Sequence, residues 1–125
     1  MKYFKMKEFE CRCGCGMPAS ARENIEALVA EVLDPAREAY GKPITVNSGY
    51  RCPKHNREVG GVPASQHLRG EAADVSAGST QASREVGKII EQLGKFDQLI
   101  YYPTFVHVSW KRIGKNRKQV IYKQS

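Results

Sequence analysis

Two side chains that can bind a metal ion lie close together near the middle of the chain. His67 and Asp74 fall in the segment 65–74, which reads Ser-Gln-His-Leu-Arg-Gly-Glu-Ala-Ala-Asp. A neutral imidazole nitrogen and a carboxylate oxygen are both good zinc ligands, at distances of about 2.0–2.2 Å. Gly70 allows the chain to turn between the loop that carries the histidine and a strand that carries the aspartate. The segment therefore predicts two ligands of a zinc site.

A third ligand is expected from a neighbouring strand, and His107 is the candidate. It alternates with Val106 and Val108, so its side chain faces the side of the strand opposite to the valines. Three protein ligands would leave a fourth coordination position for water, which is typical of catalytic rather than structural zinc. A single histidine in a strand is often a packed or an exposed residue instead, and the spacing alone leaves both interpretations open.

The elements that must position these side chains are short strands that follow helices. An apolar stripe predicts a helix over 18–40, with a kink or restart at Pro35 capped by Asp34. A second helix is predicted over 80–93, and the aperiodic segment 47–65 is predicted to be a long functional loop. Short strands are predicted at 44–46, 72–75, 98–102, 105–110 and 119–122. This order predicts an α+β fold, with a small, mostly antiparallel sheet and helices packed on one side.

The overall composition favours one domain with an excess of positive charge. A length of 125 residues suits a single domain spanning 1–125. The net charge of +7 favours anionic partners, although it can also serve solubility alone. The basic residues are scattered and no nucleic-acid recognition motif is present, so nucleic acid is not an expected partner. No apolar run approaches 18 residues and no signal peptide is recognisable, so we expect synthesis in a cytoplasm and no membrane span.

Four cysteines form an unusual pattern. Cys11, Cys13 and Cys15 alternate with other residues and lack the two-residue spacer of common zinc sites, and Cys52 lies far along the chain. A second, structural metal site at the first three is left open but not favoured. Small buried side chains or a disulfide to Cys52 are expected instead, although a cytoplasmic origin argues against disulfides.

The zinc-ligand segment resembles a family signature. Ser65-x-His67-x-x-Gly70-x-Ala72-x-Asp74 is similar to the motif of the zinc D-alanyl-D-alanine carboxypeptidase family, the M15 peptidases. These share a metal-site core with lysostaphin-type peptidases and the hedgehog signalling domain. The resemblance extends from about Phe4 to Trp110, and the most similar subgroup is compact and common in bacteriophages. Further blocks that resemble the family are Ser48–Pro53, Asn56, Gly60–Gly61, Phe96–Ile100 and Val106–Ser109.

The resemblance implies roles for individual residues. Arg51 matches an arginine that contacts the substrate or the developing oxyanion, which suits its permanently charged, planar guanidinium. Ser65 and Ser109 are candidates for hydrogen bonds that orient the ligands, or are ordinary turn and surface serines. The residues that match the zinc ligands are His67, Asp74 and His107.

The general base is where the sequence departs from the family. Many relatives place a glutamate where this chain has Thr104, and others place a histidine where it has Phe105. Asp97 is the first candidate for the base, because it begins the strand expected to pair with the ligand strand. Tyr102 or Tyr101 is a candidate donor to the oxyanion. Further candidates for the base are Glu58, Glu71 and Glu85.

The resemblance implies a zinc-dependent peptidase that hydrolyses peptidoglycan peptides near D-alanine, as a carboxypeptidase or an endopeptidase. Such a protein could serve as a phage endolysin or a virion wall-degrading protein, acting on the wall after release or delivery. Zinc would polarise the scissile carbonyl and lower the pKa of water to about 7. The alternative is a non-catalytic zinc-binding homologue that recognises a cell-wall peptide or a protein partner. In either case we expect a monomer.

Overall fold

The predicted helices and strands occur in the predicted order, and the structure adds one α-helix that was not predicted. The computed structural model describes residues 1–123. The helices are α1 (Ala19–Leu28), α2 (Asp34–Tyr40), α3 (Pro53–Glu58) and α4 (Thr80–Leu93), with short 3-10 helices at Met6–Phe9 and Gln66–Arg69. The strands are β1 (Thr45–Ser48), β2 (Ala72–Ser76), β3 (Gln98–Tyr101), β4 (Val106–Ser109) and β5 (Gln119–Tyr122). Within residues 1–123, no helix is long and apolar enough to cross a membrane.

The five strands form one mixed sheet in the order β1-β2-β4-β3-β5. Three of its four strand pairs are antiparallel, and only β3 and β5 run parallel. The predicted α+β class with a mostly antiparallel sheet is therefore confirmed. In the β2–β4 pair, Asp74 lies directly opposite His107. Side chains in such positions have Cβ atoms about 4.5–5.5 Å apart, so this register brings two predicted ligands together.

Strand alternation separates the core from the site. Ala73 and Val75 of β2, with Val106 and Val108 of β4, belong to the hydrophobic core. On that side α4 packs against β2, β3 and β4, and α2 packs on α4. Because successive side chains of a strand point to opposite faces, Asp74 and His107 lie on the other face of the sheet. The helices α2 and α4 therefore lie on one face of the sheet and leave the second available for a site.

The long N-terminal helical segment continues through Pro35 without a capped break. A π-helical turn at Val29–Leu33 joins α1 to α2. The predicted cap is wrong: Asp34 has helical backbone angles, and its carboxylate accepts hydrogen bonds from the backbone N–H groups of Lys2 at 2.8 Å and Tyr3 at 3.1 Å. Pro35 has no N–H and its ring crowds the preceding turn, and a wider turn is one way for a helix to continue past it. The Asp34 carboxylate does not cap the helix and instead holds the backbone at Lys2 and Tyr3.

The segment 47–65 contains a helix that the prediction of a continuous loop missed. Cys52 caps α3, and its Sγ accepts a hydrogen bond from the backbone N–H of His55 at 3.4 Å. Pro53 occupies the first turn, where its missing N–H costs nothing. The helix is too short to show an apolar stripe, so periodicity could not reveal it.

Candidate metal centre

The three predicted ligands converge at one point. Asp74 Oδ1 lies 3.2 Å from His67 Nε2 and 2.9 Å from His107 Nδ1, and the two imidazole rings are 5.1 Å apart. One ligand atom from each residue lies within 4.8 Å of the others, so the group could hold a metal ion. His67 comes from the 3-10 helix at Gln66–Arg69, and the other two come from adjacent strands. Two imidazole nitrogens and one carboxylate form a ligand set that zinc accepts.

The hydrogen bonds of His67 fix which of its nitrogens can bind a metal. Its Nδ1 lies 2.7 Å from the carbonyl oxygen of Gly49, which can only accept, so Nδ1 must carry the proton. In neutral His67 the Nε2 lone pair then faces the carboxylate of Asp74. Two acceptors at 3.2 Å need a cation between or beside them, either a proton on the histidine or a metal ion. This arrangement is typical of metal-binding histidines, whose second nitrogen donates to a carbonyl or carboxylate.

The carboxylate of Asp74 is held in its charged form. Burial alone would raise its pKa, but hydrogen bonds with His107 and His67 outweigh the burial and hold the pKa of Asp74 well below its usual range. Its second oxygen, Oδ2, accepts a hydrogen bond from Arg51 Nη2 at 3.2 Å. One oxygen therefore faces the histidines while the other is fixed by a cation.

Arg51 is held by three side chains at the edge of the metal centre. Its Nε donates to Ser48 Oγ and its Nη1 to Asn56 Oδ1, both at 3.1 Å, in addition to the Nη2 bond to Asp74. Its backbone N–H donates to the carbonyl of His67 at 3.0 Å. Residue-by-residue reasoning gave no role to Ser48, Gly49 or Asn56. The only signal for them was their place in the blocks that carry the family resemblance.

The three metal-binding side chains line an open cavity of about 700 Å³. Tyr102 and Phe105 also line it and stack on each other at a centroid distance of 4.6 Å. Among the described residues, Asp74 is the only acidic side chain in the lining. The cationic lining residues are Arg51, Arg69, Lys111, Arg117 and Lys123. The cavity therefore suits a ligand that carries negative charge.

Asp97, the first candidate for the base, lies outside the cavity lining. It is fully buried, and its carboxylate accepts hydrogen bonds from Arg117 Nη2 at 2.8 Å, Arg117 Nε at 3.1 Å and Gln66 Nε2 at 3.0 Å. Burial alone would raise its pKa, but these bonds hold the pKa of Asp97 well below its usual range. The strand pairing used to choose it is correct, since β3 pairs with β4. Its contacts hold Arg117 and Gln66, which themselves line the cavity.

The two predicted supporting serines differ in position. Ser65 Oγ accepts a hydrogen bond from the backbone N–H of His67 at 3.2 Å, and so it helps to fix a metal-binding residue. Ser109 is buried, and its Oγ contacts Asp97 at 3.4 Å and accepts from the backbone N–H of Gln98 at 3.1 Å. Ser109 therefore supports the β3–β4 pair and does not hydrogen-bond to a metal-binding residue.

Of the four cysteines, only Cys11 fits the expectation of a small buried side chain. Cys11 is buried, but Cys13 and Cys15 are exposed, so they are not small core residues. All four are free thiols, and the Sγ atoms of Cys11 and Cys13 lie 3.8 and 3.5 Å from that of Cys52. A disulfide requires about 2.05 Å, so the expected bridge to Cys52 is not formed. The long-range contact was correctly expected, but its chemistry was not.

An α+β domain with two histidines and an aspartate on the open face of its sheet has the architecture of a mononuclear metal-site protein. A family model described as Peptidase M15 matches residues 2–109, and the chain therefore belongs to the peptidase M15 family. It is also similar to a zinc D-Ala-D-Ala carboxypeptidase of Streptomyces albus G, with 47% identity over 77 residues. That alignment covers 55% of this chain and 29% of the relative, so the chain spans less than a third of the relative's length.

Proposed function

We propose that this protein is a zinc-dependent peptidase that hydrolyses peptidoglycan peptides near D-alanine. The observation that carries the proposal is the convergence of His67, Asp74 and His107 on the wall of a cationic cavity. Membership of the peptidase M15 family and the similarity to a zinc D-Ala-D-Ala carboxypeptidase support it. Delivery to the wall, as a phage endolysin or a virion protein, is part of the same prediction.

The zinc ion would be held by His67 Nε2, Asp74 Oδ1 and His107 Nδ1. When bound, zinc supplies a Lewis acid that polarises the scissile carbonyl and activates the attacking water. The protein contributes a fixed orientation, because Gly49 sets the tautomer of His67 and Arg51 holds the second oxygen of Asp74. A ligand set fixed in advance does not have to reorganise during the reaction.

Substrate positioning is assigned to Arg51 and Tyr102, which both line the cavity. The Arg51 guanidinium is kept in place by three side chains and offers positive charge to a carboxylate or an oxyanion. Burial and the nearby charge of Asp74 raise the pKa of Tyr102, so its phenol stays protonated and can donate a hydrogen bond to an oxyanion. The other cations of the lining suit the carboxylates of wall peptides.

No carboxylate in the described cavity lining is free to act as the proton acceptor. Asp97 is committed to Arg117 and Gln66, which favours a positioning role over that of general base. Asp74 is the only carboxylate in the described lining, and it is already used by the histidines and Arg51. This observation favours the alternative function, a non-catalytic homologue that binds zinc and recognises a cell-wall peptide or a protein partner.

The test is release of D-alanine or new amino groups from purified peptidoglycan by the zinc-loaded protein. His67→Ala should lose the activity and the zinc held by the His-Asp-His group, whereas His55→Ala should retain both, because His55 lies on α3 outside that group. Zinc binding with peptidoglycan affinity but no release would replace the peptidase by the binding homologue. Activity that survives both chelation and His67→Ala would refute the zinc mechanism itself.

A further inference from the structure

A second cluster of metal-binding side chains lies near the N-terminus, in residues that the proposed peptidase site does not use. Cys11, Cys13, Cys15 and Cys52 bring their four Sγ atoms within 4.8 Å of one another. The separations are 3.2 Å between Cys11 and Cys13, 3.5 Å between Cys13 and Cys52, and 3.8 Å between Cys11 and Cys52. Zn–S bonds of about 2.3 Å in a tetrahedron place the sulfurs about 3.8 Å apart. We propose that these four cysteines form a second, structural Zn²⁺ site.

Disulfide formation explains the cluster less well. All four cysteines are free, and the shortest of these three separations, 3.2 Å, is well above the length of about 2.05 Å in a disulfide. Each sulfur also has the other three within 4.8 Å, so no pair is singled out as a bridge. A single ion that binds all four sulfurs accounts for the whole cluster, whereas a bridge between two of them leaves the others unexplained.

The local backbone is shaped to gather the sulfurs. The N–H of Gly14 donates to the carbonyl of Cys11 at 3.0 Å, and Gly14 has a φ of 76°, so the chain turns back within the cysteine segment. Two backbone N–H groups point at sulfur: that of Cys52 lies 3.4 Å from Cys11 Sγ, and that of His55 lies 3.4 Å from Cys52 Sγ. Such donors stabilise the thiolate form that binds a metal.

The second site would fasten the N-terminal segment to the loop that carries Arg51. Cys52 directly follows Arg51, and the N–H of Tyr50 donates to the carbonyl of Phe9 at 2.8 Å. A metal ion at the cysteines would therefore close a second link between the same two segments. Binding displaces four thiol protons as one Zn²⁺ enters, so four thiolates and one ion carry a net charge of −2. The affinity should therefore fall as the pH is lowered.

The proposal does not depend on peptidase activity, and metal content tests it directly. The full chain, purified under reducing conditions with zinc, should hold two Zn²⁺ per chain. Cys13→Ser with Cys15→Ser should hold one, and His67→Ala should also hold one. The exposed positions of Cys13 and Cys15 make this pair the variant most apt to fold.

Cobalt identifies which ion each variant retains. Co²⁺ bound by cysteines gives a near-ultraviolet thiolate charge-transfer band, which the double cysteine variant should lose and His67→Ala should keep. The amide protons of Tyr50 and Arg51 should exchange faster in the double variant. One zinc in the unaltered protein that the cysteine substitutions do not reduce would overturn the proposal. So would a mass four hydrogens lower with no bound metal, since that result means two disulfides.

Discussion

Replacing Asp97 by asparagine should separate a structural role from a catalytic one. The Asp97 carboxylate is fully buried and accepts from the Arg117 guanidinium, the Arg117 backbone N–H at 2.9 Å and the Gln66 amide. Its backbone carbonyl accepts from the N–H of Gln119 in β5 at 2.9 Å. Asn has nearly the same shape, but it removes the negative charge. It also replaces one acceptor oxygen with an NH₂ group, which would then face other donors. We therefore expect Asp97→Asn to destabilise the attachment of β5 and of the loop before His67.

The magnitude follows from these contacts. A hydrogen bond to a charged group contributes about 1.5–3 kcal/mol, and breaking a buried ion pair costs about 3–5 kcal/mol. The Arg117 side chain is 48% exposed, so it can return partly to water and the loss falls below the sum of its bonds. We expect a decrease of about 2–4 kcal/mol in the free energy of unfolding, or roughly 6–16 °C in Tm for a chain of this size.

Urea unfolding followed by the fluorescence of Trp110, the only tryptophan, measures this decrease. Glu38→Gln is the matched control, because its ion pair with Lys2 has both side chains more than 60% exposed. Loss of such a surface pair should change stability by about 0–1 kcal/mol.

The pH dependence of Asp97→Asn provides a second readout. The folded pKa of Asp97 is depressed, so its contribution is present above the unfolded pKa of about 3.9 and is lost as the pH falls through the lower, folded pKa. The difference in stability between the two proteins should therefore be constant near neutrality and shrink below about pH 4. Unchanged stability together with lost peptidase activity would refute this reasoning and restore Asp97 as the general base.

Three further predictions concern packing and metal content. Gly49→Ala should lower the free energy of unfolding by about 1–3 kcal/mol, because its new Cβ would lie 2.7 Å from the Phe9 backbone. Thermal unfolding measures this loss, and an unchanged stability would mean that the segments around Phe9 and Gly49 separate easily. Leu28→Ala should lower the free energy of unfolding in urea by about 2–5 kcal/mol, because Leu28 is fully buried. Ile113→Ala is the control: its side chain is 75% exposed, so the change should stay within about 0.5 kcal/mol. Equal effects would contradict the assigned core. Chelation should lower Tm and added zinc should restore it, because each zinc site adds about 2.7 kcal/mol to the free energy of unfolding at a free zinc concentration 100 times its Kd if only the folded chain presents it; a Tm independent of zinc would contradict a preformed metal centre.

Local sequence patterns predicted the elements best where side-chain periodicity was strong. The helix over 80–93 needed no tertiary information, because its signals are local; in the structure the Ser79 side chain accepts a hydrogen bond from the backbone N–H of Ala82 at 3.0 Å. Alternation around His107 also placed its side chain on the face opposite to the core. The weakest predictions fell at Asp34 and in the segment 47–65, where a distant partner or a very short helix decided the structure.

The candidate site shows the same division. The types and spacing of His67 and Asp74, with the family resemblance, were enough to name the three residues that converge. The resemblance could not show that the Asp97 carboxylate is already paired with the Arg117 guanidinium. These residues lie 20 positions apart and are brought together by the β3–β5 pairing. Nor could the spacing of Cys11, Cys13 and Cys15 reveal that all four sulfurs gather at one point.

The sequence by itself therefore determined which residues could bind a metal, which strand face His107 occupies and the order of the longer helices and the strands. These properties depend on side-chain chemistry and on periodicities that extend over only a few residues. The tertiary structure alone decided the Asp74–His107 register, the proton position on His67 and the gathering of the four sulfurs. Each of these depends on segments far apart in the chain, and their relative position is fixed only when the whole sheet and its core assemble.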